Sequence, residues 1–274
     1  MVESISGKVS ALPKRARLWA IAGLALVLTA VMSALPRMPQ DPGYHLFADR
    51  RSFLGTANFF NVASNGFLLL AGLWGLVSLG RHQAGITFSD NEGRAPYVAF
   101  FLGMVLTAIG SAYYHLDPGN GTLFWDRLGM SVTFMSFTAA TIADRIDAKA
   151  GRRVLFPLLI TGAAGTAYWL LSELKGAGDL RFYGAIQFFP ALLIPLIMFL
   201  FPPRYSRGQD LIWVFFAYAL AKGCELLDAE IYAIGGWVSG HTLKHVWAAV
   251  AGYFVLRMLR KRQSLVVQSY SGAP

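Results

Sequence analysis

Eight long apolar runs dominate this chain and leave little sequence for anything else. They lie near residues 18–35, 57–80, 96–115, 122–143, 153–173, 182–201, 210–227 and 240–259. Each approaches the roughly 20 mainly apolar residues that a helix needs to cross a bilayer. The connections are short, so consecutive helices must be antiparallel neighbours in one bundle rather than parts of two domains. The expected fold is all-α: a polytopic transmembrane helical bundle with a seven-helix core plus one extra N-terminal helix. Its parts are a basic N-terminus (1–17), the extra helix (18–35), the seven-helix domain (42–260) and a disordered C-terminal tail (261–274). Glycines inside the runs, such as Gly72, Gly103, Gly129 and Gly162, fit helices that approach closely.

Charge supplies orientation. Charged residues make up only 14% of the chain, against about 25% in soluble domains. The net charge of +9 raises nucleic acid as a partner, but the basic residues are not gathered in one stretch with aromatic neighbours, so no nucleic-acid partner is expected. They concentrate in every second connection: Lys8 to Arg17, Arg81 and Arg94, Arg145 to Arg153, Arg204 and Arg207, and Arg257 to Arg262. The alternate loops hold only Arg37, Arg50, Arg51, Lys175 and Arg181. By the positive-inside rule this is a multi-pass integral membrane protein with both termini cytoplasmic. The first run follows Lys14, Arg15 and Arg17 as a signal-peptide core would. It is longer than such cores, and its exit, Met32 to Pro36, lacks a small-x-small cleavage site, so it is expected to be retained. The single cysteine, Cys224, excludes an intramolecular disulfide and a cysteine-based metal cluster.

Ionisable groups within apolar helices are costly and point to function. Five polar groups converge on one level. His115 ends the third run, and Asp126 opens the fourth after a short connection; His241 and His245 open the last run, which the alternation of directions brings to the same, extracytoplasmic side. His241 and His245 are four residues apart, so their rings share one helix face, a common way for one helix to supply two metal ligands. His115 would complete a three-imidazole site with an open position, the arrangement in which zinc activates water. Ser111, one turn before His115, faces the same space, and Asp126 reaches it from the adjacent helix. Singly, each has a plainer role: an interfacial histidine, a first-turn carboxylate favourable to the helix dipole, a packing hydroxyl. Their convergence favours a metal site, with Zn2+ as the expected cofactor.

These residues resemble a known pattern. Ser111-Ala-Tyr-Tyr-His115, Asp126 and His241-Thr-Leu-Lys-His245 look like the signature of the alkaline ceramidase family, part of the CREST group of membrane hydrolases. Asn61-Val-Ala-Ser64-Asn65 is similar to the family's Asn-x-x-Ser-Asn stretch. The resemblance covers about residues 42–260. It implies zinc held by His115, His241 and His245, with Ser111 and Asp126 as catalytic residues contacting the water that the metal activates. The implied reaction is hydrolysis of a lipid amide, so the implied partners are the bilayer and a membrane lipid substrate such as ceramide or another N-acyl lipid. In those roles Asp126 is the general base and Ser111 a donor to the developing oxyanion. The chain departs from the family before the first core helix: Tyr44 to Arg51 replaces an acidic, calcium-binding segment, and Asn58 stands where a glutamate is expected. Zinc chemistry without calcium dependence is therefore expected.

The remaining polar positions carry plainer expectations. Asn61, Ser64 and Asn65 share a helix face as interhelical hydrogen-bonding groups, or as support for a metal ligand. Lys222, Glu225, Asp228 and Glu230 run along the end of the seventh run, with a Lys222–Glu225 ion pair. Trp125, Trp237 and Trp247 are interfacial anchors, and His45 and His82 are solvated loop residues. Two rival functions remain open: a lipid-binding receptor of the same architecture with a structural zinc, and a membrane cytochrome. The second is disfavoured because His241 and His245 lie on one face rather than across a haem.

Overall fold

The computed structural model describes residues 12–80, 86, 88 and 91–265. Lys8, Arg81, His82 and the tail beyond residue 265 lie outside the described residues. Among the described residues the fold is all-α, with nine helices and no strand: α1 Lys14–Ala34, α2 Phe59–Gly80, α3 Arg94–Leu116, α4 Asn120–Arg145, α5 Ala148–Leu174, α6 Arg181–Leu200, α7 Asp210–Leu226, α8 Asp228–Gly235 and α9 Gly240–Lys261. Five of them, α1, α2, α3 with the turn before it, α5 and α6, are long and apolar enough to cross a membrane. The other long helices explain themselves by content. α4 carries Asp126 and Arg127 near one end and Asp144 and Arg145 at the other, α9 carries Lys244, Arg257, Arg260 and Lys261, and α7 has only 17 residues.

The exterior is what a hydrocarbon solvent asks for. Leu70, Ile109, Phe156 and Ile212 point outward and are more than half exposed, an apolar area that a water-soluble monomer does not present. The core of buried residues runs through α2, α3, α4, α6, α7 and α9, with Phe101, Ala140, Val255 and Leu259 fully enclosed. α1 stands apart. None of its residues is buried, and it packs on α6, pinned at both ends by arginines that donate to backbone carbonyls. Arg17 Nη1 reaches Leu200 O at 3.0 Å, and Arg181 Nη1 reaches Ser33 O at 2.9 Å and Leu35 O.

Two glycines fix the approach of the helices that carry the polar groups. A Cβ on Gly110 of α3 would overlap the Trp125 carbonyl on α4, and one on Gly240 would overlap the Cys224 carbonyl at the end of α7. Only hydrogen fits at either point, so α3 meets α4 beside Asp126, and α9 starts against α7.

Three expectations are corrected by the backbone. α1 begins at Lys14, four residues before the apolar run. The residues Lys222 to Glu230 do not lie along one helix: α7 stops at Leu226, and Asp228 opens the separate short helix α8, which ends on Gly236 in the left-handed region at φ 67°. The C-terminal segment is ordered past α9. Arg262 is buried, Ser206 N donates to Gln263 O at 2.9 Å and Leu265 N to Arg204 O at 3.0 Å.

Candidate metal centre

His115 comes from the last turn of α3, and His241 and His245 from the first two turns of α9. All three are buried, their ring centroids lie 4.8, 5.1 and 5.2 Å apart, and one ligand nitrogen from each falls within 4.8 Å of the others. This is close enough to bind a metal ion. His115 Nδ1 and Nε2 and His241 Nε2 are buried with no hydrogen-bond partner. An unpaired buried polar atom costs about 1–3 kcal/mol, and a cation at the centre of the three rings would take up one nitrogen of His115 and one of His241.

The surrounding groups orient the rings. Ser64 Oγ lies 2.7 Å from His245 Nδ1 and donates to Asn61 O at 3.1 Å. The consistent direction is His245 Nδ1–H to Ser64 and Ser64 O–H to Asn61, which leaves Nε2 with its lone pair directed inward. Asn61 also ties α2 to α9, its Oδ1 accepting from Thr242 Oγ1 at 3.0 Å. Ser64 therefore orients the His245 ring, while Asn61 joins helices. The start of α9 is capped twice: Ser239 Oγ accepts from Thr242 N at 3.1 Å, and Asp228 Oδ1 accepts from His241 N at 2.6 Å.

Ser111 and Asp126 sit where their sequence positions place them. Ser111 Oγ is 3.4 Å from His245 Nε2. Both residues, with His245, line a cavity of about 140 Å³ that continues between apolar side chains of α3, α4, α6, α7 and α9, among them Phe100, Phe137, Ile194 and Val214. Other carboxylates near the site are occupied. Glu225 accepts from Lys222, from Lys244 Nζ at 2.5 Å and from Tyr44 OH at 3.0 Å. The second oxygen of Asp228 accepts from Ala48 N at 2.9 Å. Asp126 makes no ion pair among the described residues.

The loop between α1 and α2 covers the rings from the loop side. Phe47 is buried with its ring centroid 4.6 Å from His115 and 4.8 Å from His241. His45, expected in solvent, is instead half-buried and fixes this loop to the α3–α4 connection, with Nδ1 2.9 Å from Tyr114 OH and Nε2 3.0 Å from Asn120 Oδ1. Burial and the neighbouring Glu225 raise the Tyr44 phenol well above its ordinary pKa, so it remains a donor. Asp49 is buried, which opposes ionisation, but hydrogen bonds from Arg51 outweigh this and hold its carboxyl below the ordinary value. Asn58 has a positive φ of 48°, a conformation asparagine tolerates, and donates to His115 O at 2.9 Å.

Sequence reasoning overlooked Phe47, because a single loop aromatic has no periodicity to reveal it. It also assigned no role to Lys244. Its position between His241 and His245 was a signal, since an ammonium so close to ligands on the same helix must find a buried carboxylate. Trp125 and Trp237 are exposed, as interfacial anchors would be, while Trp247 is half-buried. No protein-family model matches this chain, and no curated protein matches it.

Proposed function

We propose that this chain is a membrane-embedded, zinc-dependent hydrolase that cleaves the amide bond of ceramide or a related N-acyl lipid, similar in kind to the alkaline ceramidases. In this reading α1 to α7 and α9 span the bilayer as a seven-helix core with one additional helix. Both termini are cytoplasmic and the histidines lie near the extracytoplasmic side, as the distribution of basic residues favours. The observation that carries the proposal is a cluster of three buried histidines, one of which, His245, lines an apolar cavity together with Ser111 and Asp126.

Three neutral imidazoles without cysteine or carboxylate suit zinc, which when bound supplies Lewis-acid polarisation and lowers the pKa of water. The remaining chemistry belongs to the chain. Apolar walls between α3, α4, α6, α7 and α9 hold the acyl chain and exclude water from it. Asp126 accepts a proton from the attacking water and returns it to the leaving nitrogen, so that amide and water become a fatty acid and an amine. The Ser111 hydroxyl donates to the carbonyl oxygen as negative charge develops there. Ser64 keeps the His245 ring turned toward its partners.

Metal analysis of detergent-purified protein is the direct test. About one zinc per chain is expected, lost in His115→Ala, His241→Ala and His245→Ala. Fatty-acid release from labelled ceramide should stop with a strong zinc chelator and be indifferent to a calcium-selective one. Between residues 44 and 58 the only carboxylate is Asp49, and it is engaged by Arg51. Full zinc retention by all three variants would overturn the reading. A second reading is favoured by Phe47, whose ring closes the loop side of the histidines: a lipid-binding receptor with a structural metal. Zinc content with inertness toward every N-acyl lipid would select it.

A further inference from the structure

At the end of the bundle opposite the histidines, a second cavity of about 450 Å³ lies between the start of α1, the end of α4 and the segment after α6. We propose that it binds the phosphodiester head of an anionic membrane phospholipid. Lys14, Arg17, Arg145 and Arg204 line it, and among the described residues no carboxylate does. The adjacent acids are committed elsewhere. Asp144 accepts from Arg262 at 2.6 Å and from Tyr97 at 2.7 Å, and Asp147 caps α5 through Ala150 N at 2.8 Å. None of the four cations makes an ion pair among the described residues.

The arginines are held in place without being neutralised. Arg17 donates to Leu200 O at 3.0 Å, Arg145 to Phe201 O at 3.3 Å and Arg204 to Ala143 O at 3.3 Å. Each contact leaves further guanidinium donors for a ligand, and Arg17 Nε is buried with no partner. Carbonyl contacts fix direction while the charge stays available, a combination suited to a phosphate, whose oxygens accept several charge-assisted hydrogen bonds at once.

Beneath this cationic rim lies a buried apolar cluster, flanked by the exposed apolar side of α1. Phe201, Leu200 and Ile197 pack with Ile21, Ile142 and Ile146 into one cluster, and α1 runs alongside with no residue buried. A soluble phosphate would use the rim alone. A phospholipid would use both, with its head among the four cations and its chains along the flank of α1 and α6. Basic pockets between membrane helices at their ends bind anionic lipid heads in this way. The inference rests on the membrane reading of the helices and is independent of the hydrolase reading.

The experiment is native mass spectrometry of the full-length chain from neutral detergent, with dioleoyl-phosphatidylglycerol and dioleoyl-phosphatidylcholine as probes. Phosphatidylglycerol should be retained about tenfold or more over phosphatidylcholine, and Arg145→Gln with Arg204→Gln should remove that preference. The pair Arg145→Lys with Arg204→Lys should keep most of it, and Arg260→Gln, an exposed cation of α9 at the same end, should leave it unchanged. Metal content and thermal melting of the same samples report whether each variant has folded. Equal retention of the two lipids by the wild-type protein would overturn the proposal, as would a preference that survives the double glutamine variant. Displacement of the lipid by millimolar glycerol 3-phosphate would overturn it too, by assigning the cavity to a soluble phosphate compound.

Discussion

The two ends of the bundle solve the problem of charge in different ways. At the histidine end four carboxylates are matched to cations or to a helix cap. Glu225 takes Lys222 and Lys244, Asp49 takes Arg51, Asp179 takes Arg181, and Asp228 caps α9. Asp126, in the cavity beside the rings, makes no ion pair among the described residues. At the opposite end Asp144 and Asp210 have cationic partners, yet Arg17, Arg145 and Arg204 donate to backbone carbonyls and, among the described residues, make no ion pair. The contrast separates two kinds of site. In the proposed reading, a carboxylate kept out of an ion pair in an apolar cavity serves proton transfer, whereas cations kept out of ion pairs at the other end serve an anion.

The sharpest way to break this contrast is to remove the carboxylate of Asp126, which is buried without an ion pair among the described residues. Asp126→Asn should keep the metal and lower hydrolysis of a labelled N-acyl lipid by about 10²–10⁴-fold, because the amide cannot take a proton from water. Ser111→Ala should cost about 10²–10³-fold as the loss of one oxyanion donor. Wild-type rates in Asp126→Asn would leave Asp126 without its assigned part. Glu225 and Asp228 would be poor substitutes, since their oxygens are already engaged.

A smaller effect tests whether pairing at the histidine end is structural. Lys244→Met leaves Glu225 with Lys222 and Tyr44, so the loss should stay below the roughly 3–5 kcal/mol of a buried charge stripped of its partner. Thermal melting in detergent should fall, and the double variant Lys244→Met with Glu225→Leu should recover part of the loss. A double variant no better than the sum of the single ones would mean that the two groups are not coupled.

The smallest effect concerns the loop that carries Phe47. The folded carboxyl of Asp49 sits below its ordinary value of 3.8. Its pairing with Arg51 therefore stabilises the loop fully above that value, and the contribution fades as pH falls through the depressed one. Hydrogen exchange of residues 44–52 should rise on acidification in that window, and Asp49→Asn should remove the pH dependence. Protection that is flat with pH in the wild-type protein would show that the aromatic contacts alone hold the loop.

Much of this architecture is legible in the residues themselves. Runs of about 20 apolar residues specify helices because length and hydropathy are local properties. The four-residue spacing of His241 and His245 places both on one face for the same reason, and short connections bring His115, Asp126 and the start of α9 to a common end. Tertiary structure alone decided the rest. That Ser64 meets His245, that Lys244 turns to Glu225 19 residues earlier, and that Phe47 lies over two histidine rings depend on how far each helix rotates and where each loop folds back. Those contacts are set by packing at places such as Gly110 and Gly240, where a single added carbon would push the helices apart. The same holds at the other end: the basic residues are evident in the chain, but only the meeting of α1 with α4 and α6 gathers four of them around one cavity.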